Sequence, residues 1–350
     1  MAIVTVNASK SYDVVISPYI LKNTGDILKD KFGVKTNCII TDETVDSMYS
    51  PVVVESLEKS GHKVVKYVFP VGENSKGAEN FVNILNFLAS NKLTRSDIII
   101  ALGGGIPGDV AGFAAATYLR GVKFVQIPTT LLACVDSSVG GKTAINLDEG
   151  KNLAGAFYQP DLVLCDYSTL ETLPDHVFSD GVAEVVKYGV IKDEHLFNLA
   201  EMNLLKDKME EVIERCVSIK RDIVNEDERD MGVRQLLNYG HTYGHAIEKA
   251  SNYTLSHGSA VAIGMCMASK AAYKLGFSDE DITDRLVETL RLYNLPTQCP
   301  YDVETLINAA LSDKKRQGEK INLVLPKRIG ECFLQTIDVK DLEKYFEAGM

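Results

Sequence analysis

Short runs of apolar, β-branched residues alternate with amphipathic stretches through the first half of the chain. "IVTV" and "DVVIS" open the series; "NCIITDE" (37–43), "HKVVKYVF" (62–69), "DIIIALGGG" (97–105), "KFVQIPTT" (123–130) and "DLVLCD" (161–166) continue it, and all read as strands. Between them, "SPVVVESLEKSG" and "NFVNILNFLASNKL" place their apolar residues at helical spacing. Such alternation predicts a mostly parallel sheet with helices on both faces, a Rossmann-like α/β arrangement. The texture changes near 174–178. From "PDHVFSDGVAEVVKYGVIK" onward the patterns are long, helical and rich in Ala, Leu, Glu and Lys, and only "KINLVLP" (320–326) reads as a strand. An α/β domain over 1–176 and a mostly α-helical domain over 177–350 are expected.

Composition narrows the picture. A chain of 350 residues exceeds what one hydrophobic core usually serves, in keeping with two domains. The net charge of −11 repels phosphate backbones, which argues against a nucleic-acid partner. An anionic substrate would need cations gathered locally. Seven cysteines, an odd number with no CxxC pair, read as reduced thiols and a cytoplasmic protein. The start "MAIVTVNASK" lacks the basic-then-apolar pattern of a signal peptide. No run of about 18 apolar residues occurs, so no membrane span is expected.

In "DIIIALGGGIPGDVAGFAAATY" a buried strand leads through glycines into a helix, and Gly103, Gly105 and Gly108 fit G-x-G-x-x-G. Glycine lets backbone N–H groups approach a pyrophosphate, and a helix N-terminus offers unpaired donors and a positive dipole end. The motif alone is weak; its strand–turn–helix context favours a dinucleotide over a plain tight turn. No acidic residue ends the next strand, so Asp42, at the end of "CIITD", is the better candidate for ribose hydroxyls. Glu73 and Lys76, in "VGENSKG", lie just past a strand end and face either the cofactor or solvent. "DSSVGGKTAIN" fails as a P-loop because Asp136 stands where the first glycine is required; Gly140 and Gly141 read as a turn presenting Lys142.

"GHTYGHAIEKASNYTLSHG" holds three of the six histidines. His241 and His245 share a helix face, and His257 begins the next helical segment. Glu184 and Lys187 share a face of "SDGVAEVVKYGVIK" in apolar surroundings. Two histidines and a glutamate form a catalytic zinc set with a position open for substrate. A lone helical histidine is usually a hydrogen-bonded core or surface residue, but this clustering favours a site. Spacing leaves open whether His245 is a ligand or an acid/base. His62, His176 and His195 read as structural. Arg120, Lys142, Lys151, Asn152, Lys187, Lys220, Arg234 and "SDKKRQG" are candidates for binding an anion. Asn238 and Arg234 precede His241 by one and two turns if that helix is continuous.

"PVGENSK", "GGGIPGDVAGFAAATYLRG", "QIPTTLLACVDSSVGGKTAIN", "KNLAGAFYQP", "LETLP", "GVAEVVKYG", "LLNYGHTYGHAIE" and "SHGSAVAIGM" occur in this order. With these segments, nearly the whole chain resembles the 3-dehydroquinate synthase family of sugar-phosphate cyclases. The resemblance implies Glu184, His241 and His257 as ligands of a divalent metal, zinc or cobalt, with His245 as an acid/base and substrate contact. It implies NAD contacts from Asp42, Val71, Gly72, Glu73, Asn74, Ser75 and Lys76. Further NAD contacts would come from Gly103, Gly104, Gly105, Ile106, Pro107, Gly108, Asp109, Thr129, Thr130, Lys142, Lys151, Thr169, Leu170, Glu171 and Thr172. Substrate contacts would be Arg120, Asp136, Lys142, Asn152, Lys187, Lys220, Arg234, Asn238, His245 and one of Lys314 and Lys315. His245, Lys142, Lys187, Arg234 and Asp230 would be catalytic. Asp230 stands for a glutamate and is one methylene shorter, and Pro107 replaces an aliphatic residue and removes an N–H.

The implied enzyme is a homodimer and a carbon–oxygen lyase. It converts 3-deoxy-D-arabino-heptulosonate 7-phosphate into 3-dehydroquinate and phosphate, a step of aromatic amino-acid biosynthesis, without net redox change. Sibling cyclases, a metal-dependent alcohol or glycerol dehydrogenase and a catalytically silent NAD sensor are the rival readings. Arg234, Lys220 and His245 together favour the dehydroquinate reading.

Overall fold

The computed structural model describes residues 1–314 and 319–350, the side chains of 312–314 aside. The chain divides into two compact units, Met1–Leu173 with Lys220–Arg229, and Pro174–Ile219 with Asp230–Met350.

The first unit contains β1 (Ala2–Asn7), β2 (Ser11–Ile16), α1 (Thr24–Phe32), β3 (Thr36–Asp42), α2 (Glu43–Lys59), β4 (Lys63–Phe69) and α3 (Ala78–Ser90). It continues with β5 (Ile98–Gly103), α4 (Gly105–Thr117), β6 (Lys123–Pro128), β7 (Lys142–Leu147), β8 (Gly150–Phe157) and β9 (Leu162–Cys165). Seven strands form one sheet in the order β1-β2-β9-β6-β5-β3-β4, parallel except for β1. β5 is buried along its whole length because both sheet faces are covered. Ile99 and Ala101 pack with Ile84 and Leu88 of α3 and Val110 and Ala111 of α4. The alternate residues Ile98, Ile100 and Leu102 pack with Leu28 of α1 and Val53 and Leu57 of α2.

The topology locates a binding crevice. From β3 the chain passes through α2 to the edge strand β4, then returns to β5 on the other side of β3 and continues outward to β6. Connections therefore diverge between β3 and β5, and open α/β sheets bind ligands beyond the carboxyl ends of strands at such a point. Asp42 ends β3 and Gly103 ends β5.

The second unit is mostly helical: α5 (Asp175–Lys192), α6 (Glu194–Glu201), the larger part of α7 (Met209–Glu226), α8 (His241–Ala250), α9 (His257–Lys274), α10 (Thr283–Leu292), α11 (Val303–Lys314) and, after a hairpin, α12 (Leu342–Gly349). α9 is its central element, buried on nearly all sides, and its Ala, Gly and Met residues suit a helix with no solvent face.

Two local readings need correction, and one hairpin lies outside the apolar pattern. β10 (Lys320–Arg328) pairs antiparallel with β11 (Glu331–Asp338), so "KINLVLP" is not the only strand of the second half. β11, "ECFLQTID", is half-buried along most of its length, which blurs the alternation that marks a strand. The turn at Gly140 and Gly141 leads into a β7–β8 hairpin that the apolar pattern does not announce. The helix bearing His241 is not continuous with Arg234 and Asn238: Val233–Asn238 is a separate 3-10 turn, and Gly240 breaks the chain with φ 79°.

Candidate functional site

Three helices of the second unit assemble a histidine–carboxylate cluster. α5 carries Glu184 and Lys187 one turn apart, while His241 and His257 are the first residues of α8 and α9. Small residues allow this approach. A Cβ on Gly264 would lie 2.1 Å from the Gly240 carbonyl oxygen, so α9 seats against the start of α8 only because none is present. A Cβ on Gly258 would lie 2.4 Å from the Asp180 Cα, which brings the start of α9 onto α5. Ser256, the residue before α9, donates to Asp180 Oδ1 at 2.6 Å.

Both imidazoles aim Nε2 at the same oxygen. His241 Nε2 and His257 Nε2 lie 3.5 and 3.4 Å from Glu184 Oε1. Glu184 is wholly buried, and neither carboxylate oxygen accepts a hydrogen bond of proper geometry, although the Lys187 ammonium touches Oε2. Ligands about 2.1 Å from a tetrahedral cation stand roughly 3.4 Å apart. The nitrogen–oxygen spacings therefore match two edges of a zinc-type site, and the residues present fit a divalent cation. Burial by itself would raise the Glu184 carboxyl, but the charges of Lys187 and His241 outweigh it and hold the group well below the usual carboxylate range. His257 is pushed up to about 10: burial opposes this, and the adjoining carboxylates of Glu184 and Glu248 prevail.

His245, exposed on α8, has its ring centre 5.5 Å from that of His241 and 6.2 Å from that of His257. It forms a second possible donor group with His257 and Glu248, a residue the sequence reading passed over. The signal was present, since His241, His245 and Glu248 recur at i, i+4 and i+7 on α8. Arg234 is buried in the 3-10 turn before α8, Asn238 ends that turn, and Asp230 is half-buried with φ 62°.

In the first unit, Asp42 caps α2 by accepting from Val45 N at 3.0 Å. Val71 and Gly72 lead from β4 into the 3-10 turn Glu73–Lys76, which also contains Asn74 and Ser75. Lys76 is buried and donates to Asp109 Oδ2 and Asn152 Oδ1, each at 2.5 Å. The structure thus joins two cofactor candidates with a substrate candidate from a distant hairpin. Burial raises the Asp109 carboxyl despite the opposing Lys76 charge. Glu73 accepts from Asn146 Nδ2 at 2.7 Å, and Asn146 Oδ1 accepts from Asn152 N at 2.9 Å.

The glycine turn, Gly103 and Gly104, opens α4, whose first intrahelical bond runs from Gly108 N to Gly104 O. Gly105, Ile106 and Pro107 precede that bond, so Pro107 costs the helix no hydrogen bond. Thr129 N donates to Gly103 O at 3.0 Å, and Thr130 Oγ1 accepts from Ala133 N at 3.2 Å. Lys142 and Lys151 lie on the β7–β8 hairpin. Thr169, Leu170, Glu171 and Thr172 lie in a 3-10 turn after β9, where Tyr49 Oη donates to Thr169 O at 3.0 Å. Lys220 Nζ donates to the backbone oxygen of Asp136 at 2.8 Å and also touches its carboxylate. Arg120 is exposed with φ 65°. Lys315 lies outside the described residues, as does the side chain of Lys314.

Residues 66–180 match the family model described as 3-dehydroquinate synthase N-terminal, and residues 181–316 the one described as 3-dehydroquinate synthase C-terminal. A 3-dehydroquinate synthase of Clostridium perfringens (strain SM101 / Type A) is 45% identical over 350 residues, 98% of this chain and 100% of the relative. A solved 2-deoxy-scyllo-inosose synthase, complexed with carbaglucose-6-phosphate, NAD+ and Co2+, matches with a TM-score of 0.88 at 26% identity, covering 100% of both chains. A 2-epi-5-epi-valiolone synthase from Streptomyces hygroscopicus subsp. jinggangensis 5008, with NAD+ and Zn2+ bound, matches with a TM-score of 0.86 at 29% identity, over 99% of this chain and 98% of that one. Family matches to both halves and a relative this similar over its whole length show that the chain belongs to the 3-dehydroquinate synthase family.

Proposed function

We propose that the chain is an NAD- and metal-dependent 3-dehydroquinate synthase, a carbon–oxygen lyase that eliminates phosphate from 3-deoxy-D-arabino-heptulosonate 7-phosphate and closes the carbocycle. The observation that carries this reading is the Glu184, His241 and His257 cluster with its tetrahedral-edge spacings. Those three residues would hold the cation, zinc or cobalt, which supplies Lewis acidity toward substrate hydroxyls. NAD would lie along Asp42, the 71–76 turn, the glycine turn with Asp109, Thr129 and Thr130, Lys142 and Lys151, and the 169–172 turn; it supplies a transient hydride acceptor.

The remaining polar residues would bind and orient the substrate. The Arg234 guanidinium is a planar fork matched to a carboxylate, and its burial holds that fork in one orientation. Lys220, steadied by Asp136, would add a second cation to the carboxylate. Lys142, Asn152, His245 and Arg120 would hold the phosphate. His245, exposed beside the cluster, would exchange a proton with the substrate. Holding the substrate in an elimination-ready geometry supplies several kcal/mol of the barrier. Lys187 would keep Glu184 ionised, and Asp230 would act as an acid/base. In the same reading the protein is a cytoplasmic homodimer. No described helix is long and apolar enough to cross a membrane.

The test is phosphate release from the heptulosonate phosphate, run with and without NAD and after chelation, with the NADH absorbance band followed in parallel. Release that needs metal and NAD and leaves no lasting NADH supports the reading; none from loaded protein rejects it. Arg234→Ala should lower kcat/KM at least 100-fold with metal content unchanged, and an unchanged kcat/KM would remove Arg234 from the substrate site.

A further inference from the structure

We infer that Glu248 is a positioning residue for the metal site, accepting the Nδ1 proton of His257 so that Nε2 is left as the metal-binding nitrogen. The inference rests on the metal reading of Glu184, His241 and His257.

His257 has a carboxylate on each side: Glu184 Oε1 is 3.4 Å from Nε2 and Glu248 Oε2 is 3.5 Å from Nδ1. A neutral imidazole carries one N–H and one lone pair. His257 can therefore ligate a cation on one side only and must present a proton to the other. On the Glu184 side, His241 Nε2 completes the set at 3.5 Å, and the carboxylate is wholly buried with unsatisfied oxygens. On the Glu248 side the third member is His245, which is exposed. A cation gains more at a wholly buried carboxylate whose oxygens lack hydrogen bonds than beside an exposed imidazole, so the lone pair belongs on Nε2 and the proton on Nδ1.

His241 shows the same arrangement independently. Its Nε2 faces Glu184, and its Nδ1 lies 3.1 Å from the Tyr239 carbonyl oxygen. Both ligands are thus held from behind in the same tautomer, one by a carbonyl and the other by a carboxylate. A carboxylate partner fixes the ring and raises its donor strength, and removing such partners typically costs 10–100-fold in metal affinity. Glu248 is itself largely buried, and α8 supplies both His241 and this support for His257.

The experiment titrates metal-free full-length protein with Co2+, reading the visible absorption of the bound ion, its stoichiometry and its dissociation constant by chelator competition. Wild type, Glu248→Gln and Glu248→Ala are compared. Gln keeps an oxygen that can accept the Nδ1 proton and nearly the same shape, so it guards against loss of fold. One equivalent is expected in all three, with affinity falling 10–100-fold in Glu248→Ala and by less in Glu248→Gln. Equal affinity in wild type and the folded variants overturns the inference. Two equivalents in wild type with one lost in the variants also overturns it, because Glu248 would then be a ligand. A wild type that binds no Co2+ rejects the underlying metal site, an outcome distinct from both.

Discussion

At the scale of single residues, the first unit buries Lys76 against a carboxylate and an amide. Lys76 meets Asp109 and Asn152 at 2.5 Å in a nearly solvent-free position. Removing one partner of such a pair leaves an uncompensated charge, at a cost of about 3–5 kcal/mol. Lys76→Met should lower the urea midpoint accordingly, and adding Asp109→Asn should recover part of the loss. Additive losses in the double variant would show that the two side chains are not coupled. No local pattern marks this partnership. Lys76 is a lysine in a polar turn, and polar turns are normally solvated; only the packing of that turn against α4 and the hairpin buries it.

At the scale of elements, α8 and α9 touch through backbone because Gly240 and Gly264 carry no side chain. A methyl group at Gly264 has to displace the Gly240 carbonyl and with it the first turn of α8, where His241 resides. Gly264→Ala should destabilise the protein by about 2 kcal/mol in thermal unfolding and weaken Co2+ binding, since the spacing of His241 and His257 changes together with the helices. Native stability with native affinity would mean that the helices tolerate the shift.

A second element is anchored by a carboxylate. Glu228, just past α7, accepts from Ser9 N at 2.8 Å, Ser9 Oγ at 2.6 Å and Gln159 Nε2 at 2.9 Å. Burial tends to raise its carboxyl, but these donors outweigh it and lower the group from its ordinary 4.5. A carboxyl depressed on folding stabilises fully above its unfolded value, and that contribution disappears as pH falls through the folded value. The stability gap between wild type and Glu228→Gln should therefore be constant from neutrality down to about pH 5 and shrink with further acidification. Chemical denaturation across that range checks it, and a gap that widens on acidification contradicts it.

At the scale of the whole molecule, a bound cation adds its binding free energy to the folded state, about 2.7 kcal/mol at a concentration 100 times the dissociation constant. Zinc should raise the unfolding temperature of the wild type and leave Glu184→Gln nearly unmoved, and a chelator should reverse the gain. An equal gain in both would place the bound zinc elsewhere. The two units also show how far local pattern reaches. Runs such as "DIIIALGGG" announced the parallel sheet because a strand buried on both faces has no room for polar residues. The return of Lys220–Arg229 to the first unit carries no such mark. α7 reads as one helix throughout, and only its contacts divide it.

Local pattern sets the strands of the sheet, the strand–glycine–helix turn and the types of residue available for chemistry. Each is a local property, fixed by side-chain periodicity or by what a backbone position can adopt. Packing between elements sets which residues meet. Spacing offered His241 and His245 as a pair, whereas packing of α5, α8 and α9 turned His241 and His257 toward Glu184 and left His245 in solvent. It also set Glu248 behind His257 and Lys76 between Asp109 and Asn152. The reason is geometric: periodicity tells which face of its own element a residue occupies, while ligation and ion pairing depend on distances between elements remote in sequence, set by how closely small residues let helices approach.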